Sequence, residues 1–273
     1  MAKKQTEIPS KFMGKSDPVK AIVAVAISEL RSFWGSAAAG VALLVFLGLL
    51  GFFFYNGVAS YVLDSFRAAA RGMALDASLA LFSQGLTQVP LVLMLVTPLV
   101  TMRSLAPNRR GGTLDFFTIL PLSAWQLIGG QFLAAWLSLA FLSFLSLIPF
   151  MVLILAGVGS WPVLWAAAGG FLALSAAFAA VGLLASALFL SPVGAGLGTL
   201  GVLGLMWVLG WAAPYLDPKA AAVWQGLAFT PRISRLVLGL VDANDLLFFV
   251  ILTGLALAGA RLFLVGRAVS GGD

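Results

Sequence analysis

The sequence predicts an all-α, polytopic membrane protein with six transmembrane helices. Three observations carry this. Of 273 residues, 61% are hydrophobic and only 10% charged, where an average soluble domain has ~25% charged residues. The apolar residues gather into six separate runs, each near the ~20 helical residues that cross a hydrocarbon core. The basic residues are shared unequally between the loops on the two sides.

The six runs fall at 37–55, 85–102, 125–156, 162–190, 193–213 and 246–265. The third is long enough to tilt or to begin in the interface. Ser191-Pro192 divides the fourth from the fifth, because proline resists continuing a helix and restricts the residue before it. With the N-terminus in the cytoplasm, the inner side holds Lys3, Lys4, Lys11, Lys15, Lys20, Arg31, Arg103, Arg109, Arg110, Arg261 and Arg267. The outer side holds Arg67, Arg71, Lys219, Arg232 and Arg235. Eleven bases against five is the positive-inside bias. The outer loops carry as many acids as bases (Asp64, Asp76, Asp217, Asp242, Asp245), so the whole +6 excess lies inside. Six spans return the C-terminus to the cytoplasm. The expected organisation is a cytoplasmic tail at 1–20, an interfacial helix at 21–36, a transmembrane domain at 37–266 and a cytoplasmic tail at 267–273. The first apolar run follows a long lysine-bearing stretch, which reads as an uncleaved first span and not a signal peptide.

Three segments lie outside the spans. Residues 21–34 place Ile22, Val25, Leu30 and Phe33 near helical spacing beside Glu29 and Arg31. That pattern suits an amphipathic helix in the interface, with Trp34 at headgroup level; an inward extension of the first span is the other reading. Within 103–124, Gly111-Gly112 breaks a helix, Thr113 can cap a new one, Asp115 stands in its first turn and Pro121 closes it. Its Leu114, Phe116, Phe117, Ile119 and Leu120 are apolar on more than one side, which suits either lipid or a protein groove. The segment 214–245 mixes Trp224, Leu227, Phe229, Ile233 and Leu236 with Arg232 and Arg235. Pro231 can start a helix there, giving a short helix or a re-entrant hairpin at the outer face.

Composition also excludes functions. The chain has no Cys and no His, so thiolate nucleophiles, imidazole metal sites and His-based relays are absent. No catalytic motif is present. Intramembrane proteolysis of the His-dependent, H-E-x-x-H or paired-aspartate kinds lacks its residues. No clustered basic face with interleaved aromatics suggests nucleic acid. Between Phe116 and Leu216 there is not one charged residue, which disfavours ion-coupled transport, although carbonyls of a broken helix could still hold Na⁺. A smooth apolar path suits a lipid-like or amphipathic cargo better than a small ion.

The stretch RRGGTLDFFTILPLSAWQLIGGQFLA, residues 109–134, resembles the signature of type-2 ATP-binding-cassette (ABC) transporter permeases. Ser28-Glu29-Leu30-Arg31 with Phe33 and Ser36 is similar to the region before the first span in that family. Phe229-Thr230-Pro231-Arg232 through Gly239-Leu240-Val241-Asp242 is most similar to its gliding-motility-type subgroup. The chain departs from the family at Asn108, where an acid often precedes the arginine. The resemblance implies the membrane subunit of an exporter in a bacterial cytoplasmic (inner) membrane. It implies two membrane subunits, as a homodimer or heterodimer, and two copies of a cytoplasmic ABC ATPase that bind ATP and Mg²⁺. It leaves room for a periplasmic or envelope accessory protein. It makes the helix around residues 112–120 a coupling helix, with Arg109, Arg110, Gly112, Thr113, Leu114, Asp115, Phe116, Phe117 and Pro121 meeting the ATPase. It makes 21–34 a connecting helix, with Glu29 and Arg31 bracing it, and 214–245 an external re-entrant element.

Blander readings stand beside these. Arg109 and Arg110 could anchor to anionic headgroups, Phe116 and Phe117 could face lipid, and Glu29 and Arg31 could face water. The run Gly194, Gly196, Gly198, Gly201, Gly204 permits close helix approach, either at a dimer seam or within the subunit. The chain carries no G-x-x-x-x-G-K-[ST] loop, so it does not itself bind ATP in the P-loop manner. The alternative function is a non-transporting membrane scaffold or accessory subunit of an envelope complex.

Overall fold

A computed structural model describes residues 17–72, 81–82, 84–102, 104–105, 123–215, 217–237, 240 and 242–270. These residues are almost all helical, with no strand among them. The elements are α1 (Pro18–Trp34), α2 (Ala37–Ala70), α3 (Gln84–Thr101), α4 (Ala124–Leu155), α5 (Trp161–Leu188), α6 (Pro192–Ala212), α7 (Pro218–Leu227), α8 (Thr230–Val237) and α9 (Ala243–Ser270). Six of them, α2 to α6 and α9, are long and apolar enough to cross a membrane.

Helix α1 starts at Pro18, whose fixed φ suits the first helical position. It stops at Gly35-Ser36, so it is a helix of its own and not an extension of the first span. The first span is longer than expected. At 34 residues, α2 is about 51 Å long, well beyond a ~30 Å hydrocarbon core. Asn56, Ser60 and the charged Asp64 and Arg67 mark the sequence as polar past residue 55, yet the helix continues, because none of them breaks it. Helix α6 begins as the sequence indicates, with Ser191 Oγ accepting from Gly194 N at 3.1 Å ahead of Pro192. The turn between α4 and α5 uses Gly157 (φ 86°) and Gly159 (φ 99°), a backbone region that side chains disfavour.

Helix α5 is the centre. In its most apolar stretch 72% of residues are buried, against 22% for α2 and 17% for α9. It packs against α3, α4, α6, α8 and α9. Phe46, Phe150, Phe171, Phe178 and Phe229 fill the core with little or no exposure. The buried hydroxyls Thr97, Thr101, Ser138, Ser143, Ser146 and Thr199 each donate to a carbonyl of their own helix, 2.7 to 3.0 Å away. These hydroxyl protons are spent locally.

Phe229 and helix α8 fold back onto the bundle. Phe229 sits between Phe178 and Trp207, with ring centroids 5.2 and 5.7 Å away. Ile233, Leu236 and Val237 of α8 are buried, and Leu236 fills the space that a side chain on Gly170 of α5 would need. Helix α8 begins at Thr230, one residue before the proline.

The glycine run on α6 divides. A Cβ on Gly196 would meet Pro98 and Met102 at the α3 end at 3.7 and 3.8 Å, and one on Gly198 would run into Phe189. Gly201 and Gly204 have open space before them within the subunit.

Candidate functional site

The most structured polar region lies where α1 crosses the end of α3 and the beginning of α4. Ser123 and Gln126 form a capping box that starts α4: Ser123 Oγ accepts from Gln126 N at 3.3 Å, and Gln126 Oε1 accepts from Ser123 N at 2.8 Å. One and a half turns later come Gly129 and Gly130, and α1 lies directly on them. A Cβ on Gly130 would stand 2.6 Å from Val25 Cβ and 2.9 Å from Ile22 O. The absent side chain is what lets the two backbones approach. Trp34 closes the other end of this contact, edge-on to Phe141 at 5.3 Å.

Glu29 turns into this junction and is half-buried, while Arg31 is exposed. The two residues expected to act together therefore have different surroundings. Gln131 is 1% exposed. Its amide group donates to Ser104 O at 2.9 Å and to the Glu29 carboxylate. Leu105 N donates to Ser186 Oγ at 3.0 Å, tying the same end of the chain to α5. Glu29, Ser32, Ser36, Ser104, Gln131 and Ser138 line a cavity of about 110 Å³. Gln131 was not a sequence-derived candidate; its only signal was an amide, the second after Gln126, in a mostly apolar run.

Burial raises the Glu29 carboxyl above its ordinary 4.5, and the hydrogen bond from Gln131 offsets part of that rise. Among the described residues no Lys or Arg pairs with it. A raised folded-state pKa means the folded chain holds this proton more tightly than the unfolded chain. The associated stability is complete below about pH 4.5 and is lost as pH rises through the folded-state value. Unfolding in detergent should therefore show a decline with rising pH that Glu29→Gln removes. An unchanged profile in the variant would mean that Glu29 is not the group responsible.

A second cluster stands where α7, α8 and the start of α9 meet. Asp245, in the first turn of α9, is 1% exposed and accepts from Arg235 Nε at 2.9 Å and from Arg235 Nη2. Arg232 Nε stands 3.8 Å from the same carboxylate. The Arg232 guanidinium also donates to the carbonyls of Gln225, Gly226 and Ala228 at the end of α7 and lies 3.7 Å over the Phe248 ring. Burial lowers the Arg232 pKa, and the hydrogen bonds to Asp245 raise that of Arg235; both remain cationic.

Arg109, Arg110, Gly112, Thr113, Leu114, Asp115, Phe116, Phe117 and Pro121 lie outside the described residues. Among the described residues no three Asp or Glu gather to hold a metal. Comparison with known proteins finds no matching family model and no matching curated protein.

Proposed function

We propose that this chain is the permease subunit of an ATP-driven ABC-type exporter, worked by a separate cytoplasmic ATPase. What supports the reading is the setting of the described residues on either side of 106–122, the segment that holds the first half of the stretch 109–134 on which the resemblance rests. Both of its ends enter tied structure. On one side Ser104 and Leu105 are hydrogen-bonded to Gln131 of α4 and Ser186 of α5. On the other, Ser123 opens α4, against which α1 is packed at Gly130. A partner that pulled on these two ends would move α1, α4 and α5 together. An ATPase that binds one arrangement more tightly would shift the population toward it. The uncharged run 116–216 suits an amphipathic or lipid-like cargo.

The test is affinity purification from detergent-solubilised membranes with mass spectrometry of the co-purifying chains. The expected result is a stoichiometric ATPase bearing a P-loop. Recovery of the chain alone, or only with itself, would sink this reading and favour a scaffold. Phe116→Asp with Phe117→Asp should release the ATPase, or uncouple hydrolysis from transport, while membrane insertion persists. Normal ATPase binding and normal transport in that variant would show that the loop is not the coupling element.

A further inference from the structure

Helix α9 meets its first base at Arg261, and no charged residue lies between it and Asp245. At 1.5 Å per residue that uncharged length spans about 24 Å, close to the ~30 Å of a hydrocarbon core. Arg261 therefore stands near one boundary of the bilayer. Leu247, Val250 and Gly254 precede it at helical spacing, which puts all four on one face of α9. That face is exposed, and Gly254 leaves open space in it. The Arg261 guanidinium lies over the ring of Trp125, 4.9 Å from its centroid. Trp125 belongs to the first turn of α4 and is exposed as well. Stacking occupies the flat side of a guanidinium and leaves its in-plane N–H groups free. Among the described residues no acid pairs with Arg261. An arginine beside a tryptophan at the end of an apolar stripe is the arrangement that a bilayer interface favours.

We propose that Arg261 and Trp125 bind the phosphate of an anionic phospholipid, whose acyl chains lie along the exposed stripe of α9. The planar guanidinium fork matches two phosphate oxygens at once. A zwitterionic headgroup brings its own cation to the phosphate, whereas an anionic one leaves the charge for Arg261 to balance. A carboxylate on a protein partner would answer the guanidinium but not the apolar stripe, which runs on from Arg261 to Leu247 for about 21 Å. A phospholipid answers both. Bound there, it touches the start of α4 and the far end of α9 together. The inference uses only the membrane-crossing character of these helices and does not depend on the transport reading.

Leu255→Cys, at an exposed position beside Gly254 in a chain without native cysteine, can carry a single bimane label. The full labelled chain is placed in phosphatidylcholine nanodiscs with a minor share of chain-brominated lipid, either phosphatidylglycerol or phosphatidylcholine. Brominated phosphatidylglycerol is expected to quench the label as though enriched about fivefold over brominated phosphatidylcholine, the preference that one arginine near an anionic surface supplies. Arg261→Gln should abolish the preference and Trp125→Leu should weaken it. Arg31→Gln, which removes another exposed base, should leave it unchanged. Equal quenching by the two lipids would overturn the proposal, and so would a preference that survives Arg261→Gln. Quenching by neither lipid would put protein over this face and would also overturn it. An equal loss in Arg31→Gln and Arg261→Gln would reduce the effect to general surface charge and decide against a site. Should Arg261→Gln fail to fold, an undiminished preference in Trp125→Leu decides against it instead.

Discussion

Asp245→Ala is expected to destabilise the protein by about 3–5 kcal/mol in detergent unfolding, the usual consequence of removing one partner from a buried ion pair. The carboxylate is 1% exposed and is the only acid facing two guanidiniums among the described residues. Arg235 is 46% exposed and can turn to water, but Arg232 is only 15% exposed and would keep a charge with no counterion. Arg232 is also the group that holds the last carbonyls of α7, so the loss should spread from α9 to α7 and α8. Asp245→Asn keeps the shape and one acceptor and should fall between the variant and the native chain. The control is Asp64→Ala. Asp64 pairs with Arg67 at 3.0 Å in an exposed i,i+3 arrangement, where such pairs contribute about 0–1 kcal/mol. Equal effects at the two aspartates would show that the Asp245 cluster is no more than a surface contact.

Gly130→Ala should loosen α1 from the bundle at a cost of about 1–3 kcal/mol, the range for overpacking a close contact. The clash is with Val25 Cβ and the Ile22 carbonyl, so no flexible side-chain tip can give way and α1 itself must shift. Gly129→Ala, one residue earlier, is the discriminating control. A Cβ there meets Ile22 at 3.7 Å, an ordinary contact, and alanine gains up to about 1 kcal/mol over glycine in a helix. The two neighbours should therefore change stability in opposite directions. The chain has no native cysteine, so single cysteines at Ile27 and Trp125 can carry spin labels that report the α1–α4 distance directly. A distance distribution unchanged in Gly130→Ala would refute the close-packing account.

The six long apolar helices were legible in the sequence because their signal is local. Each run is long and uncharged, and the Ser191-Pro192 break is written in the residue types themselves. The separate status of α1 was half legible: its apolar spacing pointed to an interfacial helix, but Gly35-Ser36 alone could not exclude continuation into α2. The length of α2 was missed because polar residues past 55 resemble the end of a span, while nothing in them opposes helix.

The candidate sites were less legible. Glu29 and Arg31 look like one charged pair in the sequence, two residues apart, yet 200° of helical rotation gives them different surroundings. Gln131 carries no charge, and although it lies within the stretch 109–134 it becomes significant only because α1 brings Glu29 to it. Asp245 and Arg235 are ten residues apart and read as ordinary loop charges, until α8 folds back on α5 and buries the carboxylate. Hydrophobicity and helix punctuation are properties of neighbouring residues, so the sequence by itself determined the helical class and the number of apolar helices long enough to cross a membrane. Close approach at a glycine, a carboxylate met by a buried amide and an acid enclosed between two bases are properties of residues brought together from distant positions, and only the tertiary structure decided those.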